Sequence, residues 1–240
     1  MLNKMNKEFT EKMKGIRSKV LNDIVLLFKD HALEAHIFGS IARGADDALS
    51  DIDIWITFDD EKIKKIIEER MSSYATFGEI ILLHEMQNNF PLDGIQTAII
   101  YKIDGELIRV DFYLCPFSSS RMVPDSEVLF EKKKIEIGTI ISETKRTSRD
   151  LSDRITFFLS MCFNGIKKIM RGDKTFTDFL ISEFQKYEKE IPELSDIPKE
   201  PTFDTLRKTL MVLNTVSNPE QQVAVSEINK FMKKVELLSK

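Results

Sequence analysis

Hydrophobic positions at the start of the chain recur every three or four residues. They are Met13, Ile16, Val20, Ile24 and Leu27. This spacing predicts an amphipathic helix over residues 8–29. A short apolar run at 35–38 then ends at Gly39-Ser40. From 51 to 58, the apolar residues at 52, 54, 56 and 58 alternate strictly with Asp51, Asp53, Trp55 and Thr57. Both patterns predict strands.

Further elements of both kinds follow up to residue 115. Asp60 is suited to cap a helix that ends near Met71. Residues 79–83, 96–103 and 107–114 have strand patterns, and Asp104-Gly105 between the last two is typical of a tight hairpin. The first part of the chain is therefore expected to combine a sheet with helices.

The pattern changes to helical after Pro116, where strand signals stop. One helical face is marked by Leu151, Ile155, Phe158, Cys162, Ile166 and Ile169. Arg171-Gly172 is expected to end that helix, and further helices are predicted over 177–187, over 203–213 and from a capping sequence at Asn218 to about Leu238. The prediction is an α+β fold, with a mixed β-sheet domain and flanking helices at 1–140 and an all-α helical bundle at 141–240.

Composition narrows the class of protein. The chain has 240 residues, of which 42% are hydrophobic, enough for one or two globular domains. Its net charge of −4 disfavours long nucleic acid as a partner. No apolar run is long enough to cross a membrane, and the first residues are polar. Cys115 and Cys162 are isolated, so we expect no disulfide and a cytoplasmic protein.

Two aspartates share one face of the strand at 51–58. Asp51 and Asp53 lie one strand repeat apart, and the residues on the opposite face are all apolar. Carboxylates held this close repel each other unless a cation lies between them. A hard divalent ion such as Mg²⁺ is the natural partner.

Residues ahead of this strand suit phosphate. Gly39 allows close backbone approach, and Ser40 to Arg43 is suited to open a short helix that offers N–H groups, a hydroxyl and a guanidinium. Together with Asp51 and Asp53, these residues predict a site for a metal ion and a triphosphate.

A third carboxylate is found on the strand at 107–114. Asp111 shares its face with Arg109 and Tyr113, while the opposite face is entirely apolar. This repeats the pattern of the first strand. The combination of Gly-Ser, Asp-x-Asp and a later single Asp is far more specific than any of its parts.

The segment from Gly39-Ser40 to Asp51-Ile52-Asp53 resembles the signature of the DNA polymerase β-like nucleotidyltransferase superfamily. The segment around Arg109-Val110-Asp111-Phe112 is similar to bacterial aminoglycoside nucleotidyltransferases, most nearly the streptomycin 6-adenylyltransferase type. The resemblance implies a nucleotidyltransferase-type sheet, Gly39 and Ser40 at the triphosphate, and Mg²⁺ ligands at Asp51, Asp53 and Asp111. Some relatives use a Glu on an earlier strand as base, so Glu79 and Glu85 stand beside Asp111 as candidates.

The remaining polar residues are less informative. The three histidines have no zinc-like spacing and are interpreted as structural; they are His31, His36 and His84. A basic cluster ends the long helix and is interpreted as a solvated face; the alternative is that one of its lysines contacts phosphate. Its members are Lys167, Lys168, Arg171 and Lys174.

The function implied is transfer of AMP from ATP, as co-substrate, to a hydroxyl of a small molecule, with release of pyrophosphate. The resemblance implies an aminoglycoside-type antibiotic as the acceptor, and with it antibiotic resistance. The 24 acidic against 18 basic side chains of residues 1–140 suit such a cation. The alternative is an antitoxin or regulatory protein of the same fold that binds or nucleotidylates a partner protein. A nucleic-acid polymerase ranks last because the chain has no basic stripe.

Overall fold

The computed structural model describes residues 6–86, 88–144, 150–173, 178–179, 182–183, 191–198, 200 and 202–239. The chain divides into two compact units: a sheet unit, residues 10–147, and a helical unit, residues 1–9 with 148–240. The domain limits 1–140 and 141–240 stay a prediction. Within the residues described, none of the helices combines the length and the apolar character that crossing a bilayer requires.

Eight strands are present in the described part of the chain. They are β1 (Glu34–Phe38), β2 (Ile52–Phe58), β3 (Glu79–Glu85), β4 (Asn88–Pro91), β5 (Ile95–Ile103), β6 (Glu106–Pro116), β7 (Glu127–Glu131) and β8 (Ser142–Thr144). Six form a mixed sheet in the order β3-β5-β6-β2-β1-β7, and β4 pairs with β8. Strands β2 and β6 run parallel, whereas the other neighbours in the large sheet are antiparallel.

Six α-helices accompany these strands in the same described part. They are α1 (Lys7–Phe28), α2 (Gly39–Ala42), α3 (Ile63–Tyr74), α4 (Leu151–Arg171), α5 (Phe203–Val216) and α6 (Pro219–Leu238). The predicted mixed sheet with flanking helices, followed by a helical part, is confirmed.

The alternating pattern of β2 and β6 separates an apolar face of the sheet from a polar face. Residues Ile52, Ile54, Ile56 and Phe58 are fully buried. The ring of Phe58 packs 5.9 Å from that of Phe28 in α1, and Phe112 of β6 packs 4.6 Å from Tyr74 in α3. Burying each such side chain stabilises the fold by about 1.5–3 kcal/mol. The core therefore fixes both strands from one side and leaves their polar residues on the other.

The hairpin between β5 and β6 forms as predicted. Ile103 pairs with Glu106 across a two-residue turn, and both turn residues have positive φ, 52° at Asp104 and 79° at Gly105. Asp-Gly is a favoured sequence for this turn geometry because both residues tolerate positive φ. The turn fixes the register that places β5 beside Asp111.

The prediction that strands stop after Pro116 is wrong. Strand β7 pairs with β1 at the edge of the sheet, and β8 pairs with β4. The sequence of β7 is only five residues long, begins and ends with Glu, and leaves Val128 43% exposed. Its strand conformation is set by pairing with β1, which a local pattern does not reveal.

The helical unit has the two helix ends that the sequence predicts, at Gly172 and Asn218, and a further cap at Asp150. Asp150 accepts a hydrogen bond from the Asp153 amide at the start of α4, and Gly172 ends the helix with φ 69°. Asn218 and Gln221 form a capping box at the start of α6. The Gln221 side chain also donates to Ser152 of α4. Most of the helix predicted over 177–187, together with Lys174, lies outside the described residues.

Candidate active site

The parallel pairing of β2 and β6 places two of the predicted carboxylates side by side. Asp53 and Asp111 are register partners, and their neighbours in the same row are Phe38 on β1 and Ala98 on β5. Adjacent strands lie about 4.8 Å apart, and register partners point to the same face. The two carboxyl groups therefore share the polar face of the sheet at neighbouring positions.

Arg109 binds Asp111 through a two-pronged ion pair. Its Nε donates to Oδ1 over 2.7 Å and its Nη2 donates to Oδ2 over 3.0 Å, and both residues are buried. Two parallel N–H···O bonds fix the plane of the carboxylate as well as its charge. Asp111 is thereby oriented on a rigid strand, against a fixed positive charge.

All three predicted carboxylates act on that guanidinium. Burial by itself disfavours the charge of Arg109, but the negative charges of Asp111, Asp51 and Asp53 and the hydrogen bonds to Asp111 outweigh it and raise its pKa. All three acids therefore favour the charged form of the same guanidinium. The sequence predicts Arg109 on the same face as Asp111 but gave it no role. The signal that could have revealed its role is a basic residue two positions before a buried carboxylate on the same strand.

Gly39 brings the backbone against Asp53. It has φ +77°, and a Cβ atom built on it would lie 2.5 Å from Asp53 Oδ2. Any side chain at this position would displace the carboxylate. The phosphate-binding roles of Gly39, the partly exposed Ser40 and the exposed Arg43 stay a prediction.

We expect Gly39→Ala to lower the free energy of unfolding by about 1–2 kcal/mol, the strain of a left-handed residue with a Cβ, and to lower kcat about 100-fold by shifting Asp53. Gly44→Ala is the matched control, since Gly44 also has positive φ, 63°, but nothing within 4 Å of its Cβ position. The unfolding temperature and kcat should both fall in Gly39→Ala, whereas only the unfolding temperature should fall in Gly44→Ala. Equal activities of the two variants would contradict the close approach of Gly39 to Asp53.

Polar contacts hold the loop between α2 and β2 in place. The Asp47 side chain accepts from the Leu49 amide over 2.8 Å, and Ser50 Oγ accepts from the Asp47 amide over 2.9 Å. Arg17, buried in α1, donates to Asp46 over 2.7 Å. These contacts fix the ten-residue interval between Gly39-Ser40 and Asp51.

The two alternative candidates for the base, Glu79 and Glu85, do not lie beside Asp111. Glu85 pairs with Thr97, which pairs with Phe112, so Glu85 lies on the apolar side of the sheet, where it forms an ion pair with Arg70 of α3. Glu79 pairs with Lys102, four residues or about 13 Å along β5 from Ala98. Of the three candidates, Asp111 is the one that lies beside Asp53.

The histidines differ in their surroundings. His31 is exposed. His84 is buried and is the register partner of Ala98 on the neighbouring strand. His36 is fully buried, with Nδ1 2.8 Å from Glu34 Oε1. Within the basic cluster, Lys168 forms a 2.8 Å ion pair with Asp173.

Neither cysteine supplies a nucleophile. Cys115 and Cys162 are both unpaired, as the sequence predicts, and buried. Burial raises the pKa of the Cys115 thiol to about 12, so it is protonated at neutral pH.

The carboxylates suit a hard divalent cation in donor type, since Mg²⁺ prefers oxygen ligands. Asp51 and Asp53 would hold such an ion. Nowhere in the described ranges does a group of three acidic, imidazole or thiol side chains stand in a ready metal-binding arrangement. Arg109 already binds both oxygens of Asp111, so this carboxylate would have to share an oxygen between Arg109 and the ion.

A protein-family model matches part of the sheet unit. Residues 22–108 match the family model described as "Polymerase beta, Nucleotidyltransferase". The match includes Gly39, Ser40, Asp51 and Asp53 and ends before Asp111. It confirms the resemblance to the polymerase β-like superfamily over this segment and the prediction of a nucleotidyltransferase enzyme. No curated protein gives a significant match.

A solved structure is also similar in part. It is described as a STING-associated CdnE c-di-GMP synthase from Capnocytophaga granulosa, is 14% identical, and the alignment covers 99% of this chain and 83% of that one. The TM-score is 0.32, too low to transfer geometry or activity to this protein.

Proposed function

We propose that this protein is a Mg²⁺-dependent adenylyltransferase that moves AMP from ATP to a hydroxyl group of a small molecule. The observation that carries this is the register pairing of Asp53 with Asp111, beside a glycine that leaves no room for a side chain. The matched segment supports the same reaction class.

Each residue has a distinct part in binding. Asp51 and Asp53 would hold Mg²⁺, and a bound ion would supply neutralisation of the triphosphate charge and a more electrophilic α-phosphorus. Gly39 and Ser40 bring backbone N–H groups to the triphosphate, and Arg43 adds a positive charge. Most of the catalysis comes from positioning and charge neutralisation.

Asp111 acts on the acceptor. Its carboxylate takes the proton of the acceptor hydroxyl as the hydroxyl oxygen forms a bond to the α-phosphorus. The bond from that phosphorus to the oxygen bridging to the β-phosphate breaks, and pyrophosphate leaves with the electron pair. Arg109 keeps the Asp111 carboxylate oriented before the step.

Charge favours a cationic acceptor. Residues 1–140 carry 18 basic and 24 acidic side chains, a net charge of −6, and Asp51 and Asp53 are partly exposed. Carboxylates at a site raise the local concentration of cations. An aminoglycoside-type antibiotic is therefore the first acceptor class to test.

Mass spectrometry tests the acceptor class. Purified protein with ATP and Mg²⁺ is incubated with a panel of aminoglycosides, and with the same panel after EDTA treatment as control. We expect an added AMP on at least one compound, only with Mg²⁺. A panel without any modified compound, under conditions in which the protein binds Mg²⁺–ATP, would exclude these antibiotics as acceptors.

A further inference from the structure

A ladder of parallel rings lies on the same face as the carboxylates, one strand repeat away. The His36 ring stacks on Trp55, with centroids 6.1 Å apart and planes inclined by 15°, and Trp55 stacks on Tyr113 at 5.4 Å and 14°. The three residues are register neighbours on β1, β2 and β6. Because their strands are fixed in the sheet, the ladder is a rigid support.

Phe38 connects this ladder to the row of carboxylates. It pairs with Asp53, directly precedes Gly39, and its ring meets Tyr113 edge-on at 5.2 Å. Phe38 and Tyr113 are partly exposed, whereas Trp55 and His36 are fully buried. The two accessible rings, Phe38 and the ladder's Tyr113, are therefore those that adjoin Asp53 and Asp111.

Tyr113 is fixed in place at its hydroxyl end. Gln96 of β5 donates to the Tyr113 hydroxyl oxygen over 2.7 Å. An uncharged, preorganised ring beside a phosphate-binding site is well suited to contact a planar group at little cost in side-chain entropy.

We propose that Phe38 and Tyr113 form an aromatic subsite, which binds a nucleobase of a nucleotide held at Asp53 and Asp111. This rests on the proposed function, because the carboxylates and Mg²⁺ bring the phosphates to the site. Stacking on aromatic rings tolerates every base, since each has a π-face. The base belongs either to the donor triphosphate or to an acceptor that carries a nucleoside.

Trp55 provides a readout that does not depend on turnover. It is the one tryptophan of the chain and lies against Tyr113. A base that contacts Tyr113 should therefore change tryptophan emission, whereas Mg²⁺–tripolyphosphate, which has no ring, should change it less. Calorimetry gives the dissociation constants of the variants independently of emission.

Tyr113→Leu and Phe38→Leu remove one ring each, and Tyr113→Phe keeps the ring but loses the bond to Gln96. Phe77→Leu is the matched control, because Phe77 stacks on Phe112 at 5.8 Å on the opposite face of the sheet. We expect the Leu variants at 38 and 113 to bind Mg²⁺–ATP at least about 5-fold more weakly and tripolyphosphate unchanged. Tyr113→Phe and Phe77→Leu should stay near the wild-type affinity for ATP.

Adenosine distinguishes the two sources of the base. If the subsite serves the donor, Mg²⁺–ATP excludes adenosine; if it serves an acceptor, adenosine binds together with Mg²⁺–ATP and this binding is weakened by Tyr113→Leu. Wild-type affinities for both ligands in Tyr113→Leu and Phe38→Leu would overturn the subsite. Failure of the wild-type protein to bind Mg²⁺–tripolyphosphate would instead count against the proposed function.

Discussion

Asp53→Asn is expected to lower kcat for nucleotidyl transfer by about 1,000-fold or more while the protein remains folded. A metal-based stabilisation of transition-state charge is worth several kcal/mol, and each ~1.4 kcal/mol is a factor of ten in rate. Asn keeps the shape of Asp53 next to Gly39 and removes one negative charge from a cluster of like charges. The apolar face of β2, which anchors the strand, is untouched.

The measurement combines kcat with thermal unfolding at several Mg²⁺ concentrations. The unfolding temperature without Mg²⁺ should stay close to that of the wild type, because the change relieves repulsion between carboxylates but also removes one of the charges that compensate Arg109. Its increase on adding Mg²⁺–ATP should shrink. Asp51→Asn should behave in the same way. Near-wild-type turnover in either variant would remove these residues from the metal site.

Asp111→Asn is expected to separate binding from chemistry. Loss of a general base lowers the rate by about 10²- to 10⁴-fold, so kcat should fall by at least about 100-fold. Mg²⁺–ATP should still bind, because Asp51, Asp53 and Gly39 are unchanged. The Asn oxygen still accepts from Arg109, and the charges of Asp51 and Asp53 still compensate the guanidinium, so the fold should persist.

Glu85→Gln is the control for the base. Glu85 lies on the opposite face, where it pairs with Arg70, and its replacement should leave kcat unchanged. The loss of a half-exposed ion pair should reduce stability by about 1 kcal/mol or less. If Glu85→Gln were the more damaging change and removed the acidic limb of the pH–rate profile, the base would have to be reassigned to Glu85.

The polar faces of β2 and β6 were predictable because strand alternation is a local property. Asp53 and Asp111 each stand opposite an apolar face that the core buries, so their side of the sheet follows from periodicity. That the two strands are parallel neighbours, with these residues in register, depends on contacts distant in sequence. No local pattern contains that information.

The choice among Asp111, Glu79 and Glu85 shows the same limit. Glu85 was a candidate because some relatives use a Glu on an earlier strand as base, and the sequence does not say which face of β3 meets α3. Its pairing with Thr97 and its contact with Arg70 decide this only in the folded sheet. The ion pair of Arg109 with Asp111 was likewise visible only as two charged residues on one face.

The central claim is that the Asp53–Asp111 pair supports Mg²⁺-dependent transfer of a nucleoside monophosphate. Pyrophosphate release is the most direct measure of this claim, because transfer of a nucleoside monophosphate to any acceptor releases pyrophosphate. Purified protein is supplied with each of the four nucleoside triphosphates, Mg²⁺ and an acceptor panel, alongside Asp53→Asn. The account predicts Mg²⁺-dependent pyrophosphate release by the wild-type protein that the variant lacks; equal release by both proteins, or none from any triphosphate, would contradict it.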